Sequence, residues 1–434
     1  MKSKRGLDLS TEDPGVVVTF DQFSDRLLRV APGVEEILDA RKRQPGEVVL
    51  IQACALLWLF GHTAEAQKEA EAAIQSAAGF SLNPREALWQ SSLELWHAKK
   101  FDRAASALES LTNEFPEDLV AAKAAEFLYY ILGQQHSGPR FHAHMQRLRP
   151  THSKDPDFLA MDAFAHELCG DKTAARRSAE AALEQASCNP WAQHALEHVL
   201  LWEGNQEAAI SLMLGWVQDW EASARPVHSH NAWHLSLAFL DRLEPTRAFE
   251  IFDAHVWMKT PEVVVEQLDS IALLWRAEMA GCEIEPARWK ALLPHIVENT
   301  YVLFMPFASA HYAYALARSG ETDEVARLLA AVEARASKDD AEAVRVWAPT
   351  GRPVVKAVAA LGSGDATRAA EFFDQAMPRI TEIGGSDAQD DLFRFAYLDS
   401  LSRSGRKSDA KAFLNNRLSQ KPPSPLEESL RDCH

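Results

Sequence analysis

The chain has 434 residues, 47% hydrophobic and 25% charged, with a formal net charge of −17. This is the composition of a folded chain, and so acidic a surface repels phosphate backbones, which argues against broad nucleic-acid binding. The five cysteines (Cys54, Cys169, Cys188, Cys282 and Cys433) are scattered and form no Cys-x-x-Cys pair, which argues against a disulfide framework and a thiolate zinc site and fits a reducing compartment.

Met1 to Gly15 is polar, lacks the apolar stretch of a secretory leader, and is expected to be a flexible segment. VVVTF, from Val16, is a short isolated run that reads as a helix or an extended lead-in. Val48 to Phe60 is the longest apolar stretch. Broken by Gln52 and too short to span a bilayer, it reads as a buried helix. With no leader and no span, a cytoplasmic protein without membrane contact is expected. Ser92 to Asp118 displays a repeating unit. Leu93, Leu95 and Trp96 lie on a first helix and the turn falls at Lys99-Lys100. A second helix from Phe101 carries Ala104, Ala105, Ala107 and Leu108 on its packing side, and Pro116 ends it.

The same turn recurs near Gly61, Lys99, Gly133, Gly170, Gly204, Leu243, Gly281, Gly320, Gly364 and Gly405, at intervals of roughly 35 to 45 residues, in the range of tetratricopeptide or slightly longer helical-hairpin repeats. Several turns precede small-residue helices, such as GDKTAARRSAEAA and GDATRAAEFF, where a glycine can cap one helix and a polar residue the next. The expected fold is all-α: a solenoid of tetratricopeptide-like helix-turn-helix repeats forming one superhelix over residues 16–417, then a proline-rich tail over 418–434.

Five of the sixteen histidines fall between His194 and His234. His194 and His198 are four residues apart, as are His230 and His234, so each pair lies on one helix face. His194 precedes Gly204 by ten residues, and His234 and His311 precede Leu243 and Gly320 by nine. These are similar positions on the first helices of their repeats, which in such solenoids line the concave surface. Asp269, on an intervening first helix, can add a carboxylate. Imidazoles and a carboxylate on neighbouring helices suit a divalent transition metal, with His194, His198, His230 and His234 as candidate ligands, or acid/base chemistry centred on His194, His234 and Asp269. The bland alternative is a set of packing histidines. Trp191 and Trp233 fit either reading. His194-Ala-Leu-Glu197-His198 also matches the H-x-x-E-H pattern of inverted zinc peptidases, but Glu197 is expected to point away and the repeat context is wrong for that fold.

Other signals are weaker. Gly384-Gly385-Ser386-Asp387 reads as a tight turn with Ser386 or Asp387 as the helix cap, with Gln389 and Asp391 as candidate groove residues. Gly362-Ser363-Gly364 lacks the Lys-Ser/Thr of a phosphate loop. His136, His142 and His144 with Arg140 and Arg147 read as a solvated loop and helix face rather than an anion site. No G-x-S-x-G elbow occurs. Most of the twelve tryptophans are expected to wedge between repeats, with a few free to line a ligand groove.

WAQHALEH (Trp191, His194, His198) and HNAWH (His230, Asn231, Trp233, His234) resemble the tetratricopeptide repeat protein 38 family, as do IGGSDAQDDLF (Gly384, Gly385, Ser386, Gln389, Asp391, Phe393) and KPPSPLEESL (Lys421, Pro422, Ser424, Pro425, Leu426). The resemblance extends from about residue 85 to the C-terminus. It implies a helical-repeat solenoid and no particular activity. Glu126-Phe127 stands where that pattern has a His-Asp pair and Leu201 where it has a glutamate, so a family ligand need not carry over.

Two functions fit these residues. One is a repeat protein that binds a peptide, a partner protein or a small ligand in its concave groove, with Trp191, Asn231, Trp233, His311, Gln389 and Asp391 as contacts. The other is an enzyme, metal-dependent or acid/base, with its active site at His194, His198, His230 and His234. A scaffold requires an open groove with spread polar contacts, and an enzyme a closed pocket with convergent His, Asp and Trp side chains.

Overall fold

A computed structural model describes residues 1–419 and 423–433 of the chain. Lys421 and Pro422 of the C-terminal motif lie outside the described residues. Among these the protein is all-α: one isolated antiparallel bridge, Lys2 with Asp8, is the nearest approach to a strand. The helices are α1 (Pro14–Arg29), α2 (Glu36–Arg43), α3 (Val48–Gly61), α4 (Ala64–Ala77), α5 (Pro84–His97), α6 (Phe101–Glu114), α7 (Leu119–Leu132), α8 (Gln134–His152), α9 (Pro156–Glu167), α10 (Lys172–Gln185), α11 (Pro190–Trp202) and α12 (Gln206–Glu221). They continue as α13 (Arg225–Asp241), α14 (Pro245–His255), α15 (Val264–Met279), α16 (Pro286–Ile296), α17 (Pro306–Arg318), α18 (Thr322–Ala336), α19 (Arg352–Gly362), α20 (Ala366–Ala376), α21 (Asp387–Arg403), α22 (Lys407–Leu418) and α23 (Pro425–Cys433). A π-helical segment, Ala343–Gly351, leads into α19. No described helix is long and apolar enough to cross a membrane.

Consecutive helices pack as antiparallel pairs, among them α3 with α4, α5 with α6, α9 with α10, α17 with α18 and α19 with α20. The turns follow the sequence closely. Gly170, Gly204, Gly281, Gly320, Gly364 and Gly405 all have left-handed backbone, and so do the two non-glycine turn residues, Lys99 (φ 56°) and Leu243 (φ 62°). At the Gly61 turn the left-handed residue is His62. Side-chain caps start the following helices: Thr63 accepts from the Ala66 amide, Asp171 from Ala174 and Asp365 from Arg368. The VVVTF run is helical, because Asp13 caps α1 and Val16 and Phe20 are buried.

The chain divides into two compact units. The first comprises Met1–Leu132, Ser137–Leu196 and Gln218–Val227; the second comprises Gly133–His136, Glu197–Val217 and His228–His434. In the first, α3 is buried on nearly all sides, and Gln52 is accommodated by donating to the Glu86 carbonyl at 2.8 Å. Ala104, Ala105 and Leu108 of α6 are buried as the repeat pattern requires. A buried ion pair fixes α5 to the start of α7: Asp118 accepts from Arg85 Nε at 2.7 Å and from Trp89 Nε1 at 2.8 Å. Met1 to Thr11, expected to be loose, makes hydrogen bonds. The N-terminal ammonium donates to the Leu9 and Thr11 carbonyls, and Arg5 pairs with Asp155 at 2.6 Å.

In the second unit, the Ile383–Ser386 turn is clamped between two backbones. The Phe307 amide donates to the Ile383 carbonyl at 3.0 Å, and the Gln134 amide to the Gly385 carbonyl at 2.9 Å. Gly385 (φ +94°) is packed so tightly that a Cβ would lie 2.9 Å from the Phe307 ring. Ser386 then starts α21 in a reciprocal capping box with Gln389. The last helix is begun the same way, by Ser424 and Glu427.

Candidate functional site

The second unit buries an unusual concentration of ionisable groups. Glu197 and His198 come from α11, His230 and His234 from α13, Asp269 from α15 and Asp387 from the first turn of α21. The i, i+4 spacing on α13 puts the His230 and His234 rings in edge contact, with centroids 4.8 Å apart, and His198 packs on His234 at the same distance. Trp233 stacks on His230 at 5.4 Å and 12°.

Each of these three imidazoles faces a carboxylate through its Nδ1. His230 Nδ1 is 3.1 Å from Asp269 Oδ2, His234 Nδ1 is 3.1 Å from Glu197 Oε1, and His198 Nδ1 is 3.5 Å from Asp387 Oδ1. Asp269 is fully buried, and Glu197, His198 and His234 nearly so. At His230, where the contact is a hydrogen bond, the Asp269 carboxylate favours the Nδ1–H tautomer, which turns the Nε2 lone pair away from it.

Several buried polar atoms of this unit make no hydrogen bond with the described residues, so the Glu197 and Asp387 contacts are charge proximities: both oxygens of Glu197, both of Asp390, Asp387 Oδ1, His311 Nε2, Trp233 Nε1 and Trp275 Nε1. Folded proteins rarely leave such groups unpaired in an inert core. Burial pushes the Glu197 carboxyl up to about 8, against the opposing charge of His198. Burial also holds Asp390 well above the carboxylate range, with Arg394 pulling the other way. His311 is driven down to about 4 by burial. Its Nδ1 lies 2.9 Å from the Phe307 carbonyl, which can only accept, so Nδ1 carries the proton and Nε2 presents a lone pair. Phe307, Trp275 and Phe393 surround that ring. At neutral pH this interior combines neutral acids with imidazole lone pairs, a set able to donate and accept protons or to ligate a metal.

His194 and Trp191 belong to the first unit, since the division of the chain falls within α11 between Leu196 and Glu197. There Trp191 Nε1 donates to Glu126 at 3.0 Å, Lys123 lies 4.0 Å from the Trp191 ring, and His194 packs on Phe164. Asn231 is fully buried on α13. Gln389 serves the Ser386 capping box. Asp391 binds Arg417 at 2.7 and 2.8 Å and Arg394 at 2.9 Å. Its neighbour Asp390 is the buried acid. Around Arg140 the basic edge is neutralised, because its guanidinium binds Glu109 and Asp102. Glu197, Asp387 and Asp390 are the members that sequence reasoning missed. For Glu197 the available signal was the H-x-x-E-H pattern. Its expected outward orientation is incorrect: the side chain is fully buried against His234.

No family model matches the chain. Among solved structures it is similar to that of Naa15/Naa10 bound to HypK-THB, at 14% identity and a TM-score of 0.24, over 95% of this chain and 64% of that one. The chain thus spans less than two thirds of the length of the one it matches. The fold assignment rests on its own paired helices.

Proposed function

We propose that the second unit is a metal-dependent hydrolytic centre, in which His230 and His234 supply ligands to a divalent transition metal and Asp269 orients His230. The observation that carries this reading is the edge contact of the His230 and His234 rings, with Asp269 hydrogen-bonded to Nδ1 of the first and Glu197 beside Nδ1 of the second. Carboxylate–histidine pairs of this kind fix ring orientation and raise ligand basicity in metal sites. A metal held there by few protein ligands would keep positions for water, whose pKa it would lower. Glu197, beside His234, would serve the proton transfers of hydrolysis. Peptide binding on an open groove has less support, because the histidines that would line it are buried.

The test is metal content by elemental analysis of tag-free protein, for the wild type and for His230→Ala/His234→Ala, with near-UV circular dichroism as a check on folding. Near-stoichiometric metal that the folded double variant loses is the expected result. A wild type that retains none after incubation with Zn, Mn, Fe or Ni salts would overturn the proposal.

A further inference from the structure

A second site in the second unit is independent of the histidines. A cleft of about 330 Å³ lies between the C-terminal ends of α15 and α21, the start of α22, and α23. Met279, Leu398, Leu426 and Leu430 supply apolar walls, and Arg276, Arg403 and Lys407 supply cationic groups. The size is that of a small-molecule pocket.

Arg276 is the unusual member. It is 5% exposed and lies 4.1 Å from the Phe395 ring, held among apolar side chains. Its one hydrogen bond among the described residues runs from an Nη2 donor to Asp241 at 3.1 Å, and its buried Nε has no partner. A guanidinium carries five donors in a planar fork matched to a carboxylate, and leaving them unpaired in an apolar setting is costly. Arg403 is partly engaged, by Asp399 at 3.1 Å, whereas Lys407 is exposed at the rim. Asp399 is the acidic residue on the lining, so the cations outnumber it by three to one.

We infer that this cleft binds a small carboxylate with an apolar tail, its head on Arg276 and its chain along Leu398, Leu426 and Leu430. The head completes the hydrogen bonding of the buried guanidinium, while the tail lies along the partly exposed Leu430 beside the nearly buried Leu398 and Leu426. Arg403 and Lys407 attract the anion at the mouth and discriminate against cationic amphiphiles.

The test is isothermal titration calorimetry on the full chain with decanoate, decylamine and decanol. Decanoate is expected to bind at least tenfold tighter than either of the others. Arg276→Gln is expected to weaken decanoate at least tenfold, and Arg403→Ala/Lys407→Ala several-fold, with a weaker salt dependence. Leu430→Trp, which fills the cleft without touching the buried guanidinium, is expected to abolish binding and stands in if Arg276→Gln does not fold. Absence of decanoate binding up to 1 mM, on the order of the weak limit of specific binding, would overturn the proposal. So would equal binding of decylamine, or affinity unchanged by Leu430→Trp.

Discussion

Glu197 Oε1 and His234 Nδ1 lie 3.1 Å apart, and each side chain is 1% exposed. An acid and a base buried together in this way hold each other's charge state. Burial pushes the Glu197 carboxyl up to about 8 against the opposing charge of His198, so its ionised form at neutral pH needs a further cationic neighbour. A metal held by His234 would supply that charge.

Replacing Glu197 with glutamine keeps the shape and removes the ionisable group. We expect Glu197→Gln to fold and to bind metal about 10–100-fold more weakly, the usual effect of losing a carboxylate behind a ligating histidine. Competition with a chelator of known affinity measures this. Unchanged metal affinity would mean that the pair is a packing contact.

Stability should fall in acid through His144. Burial pulls this imidazole down to about 4 from 6.5. Its Nε2 is 2.8 Å from Thr112 Oγ1 and its Nδ1 is 3.0 Å from the Tyr129 hydroxyl. That hydroxyl donates to Glu109 at 2.6 Å, so its oxygen accepts from Nδ1–H. Between pH 6.5 and pH 4 the unfolded chain therefore binds the extra proton. The contribution is fully present above pH 6.5 and is lost as pH falls through the folded value, by up to about 3 kcal/mol. Urea midpoints at pH 7 and pH 4.5 should differ less in His144→Gln than in the wild type. His62 and His311 are depressed in the same direction, to about 3 and about 4, so part of the dependence persists. An identical drop in both proteins would show that His144 titrates normally.

Gly133 and Gly364 separate backbone strain from crowding. Both have left-handed backbone, at φ +96° and +90°. A Cβ on Gly364 would meet open space, whereas one on Gly133 would lie 1.9 Å from the Thr381 carbonyl oxygen. Gly364→Ala should cost about 1–2 kcal/mol, the price of the left-handed conformation. Gly133→Ala should cost several kcal/mol more or fail to fold, because Thr381 sits in the backbone leading to the clamped turn before α21. Thermal melts of the two variants give the comparison, and equal shifts would mean that the Thr381 segment yields freely.

The α21 cap illustrates how far sequence reading reached into the site. Ser386 was legible as a cap because a serine followed three residues later by glutamine, ahead of an apolar run, is a local signature. The same locality cannot choose between Asp390 and Asp391. Adjacent positions on a helix differ in facing by about 100°, and nothing within the segment says which face meets the core. Arg417, 26 residues downstream, draws Asp391 outward.

The sequence by itself determined the helix pairs and their turns, because a helix period, a left-handed cap and a polar first residue are encoded within a few neighbouring positions. It also determined that histidines recur at like places on successive first helices, since repeat spacing carries that information. Only the tertiary structure decided which carboxylate stands behind which imidazole. His230 meets Asp269 across 39 residues of chain, and His198 meets Asp387 across a far longer separation. Burial decided the charge states as well: Glu197 and His311 titrate where they do because packed helices remove water from them, a property that no local pattern records.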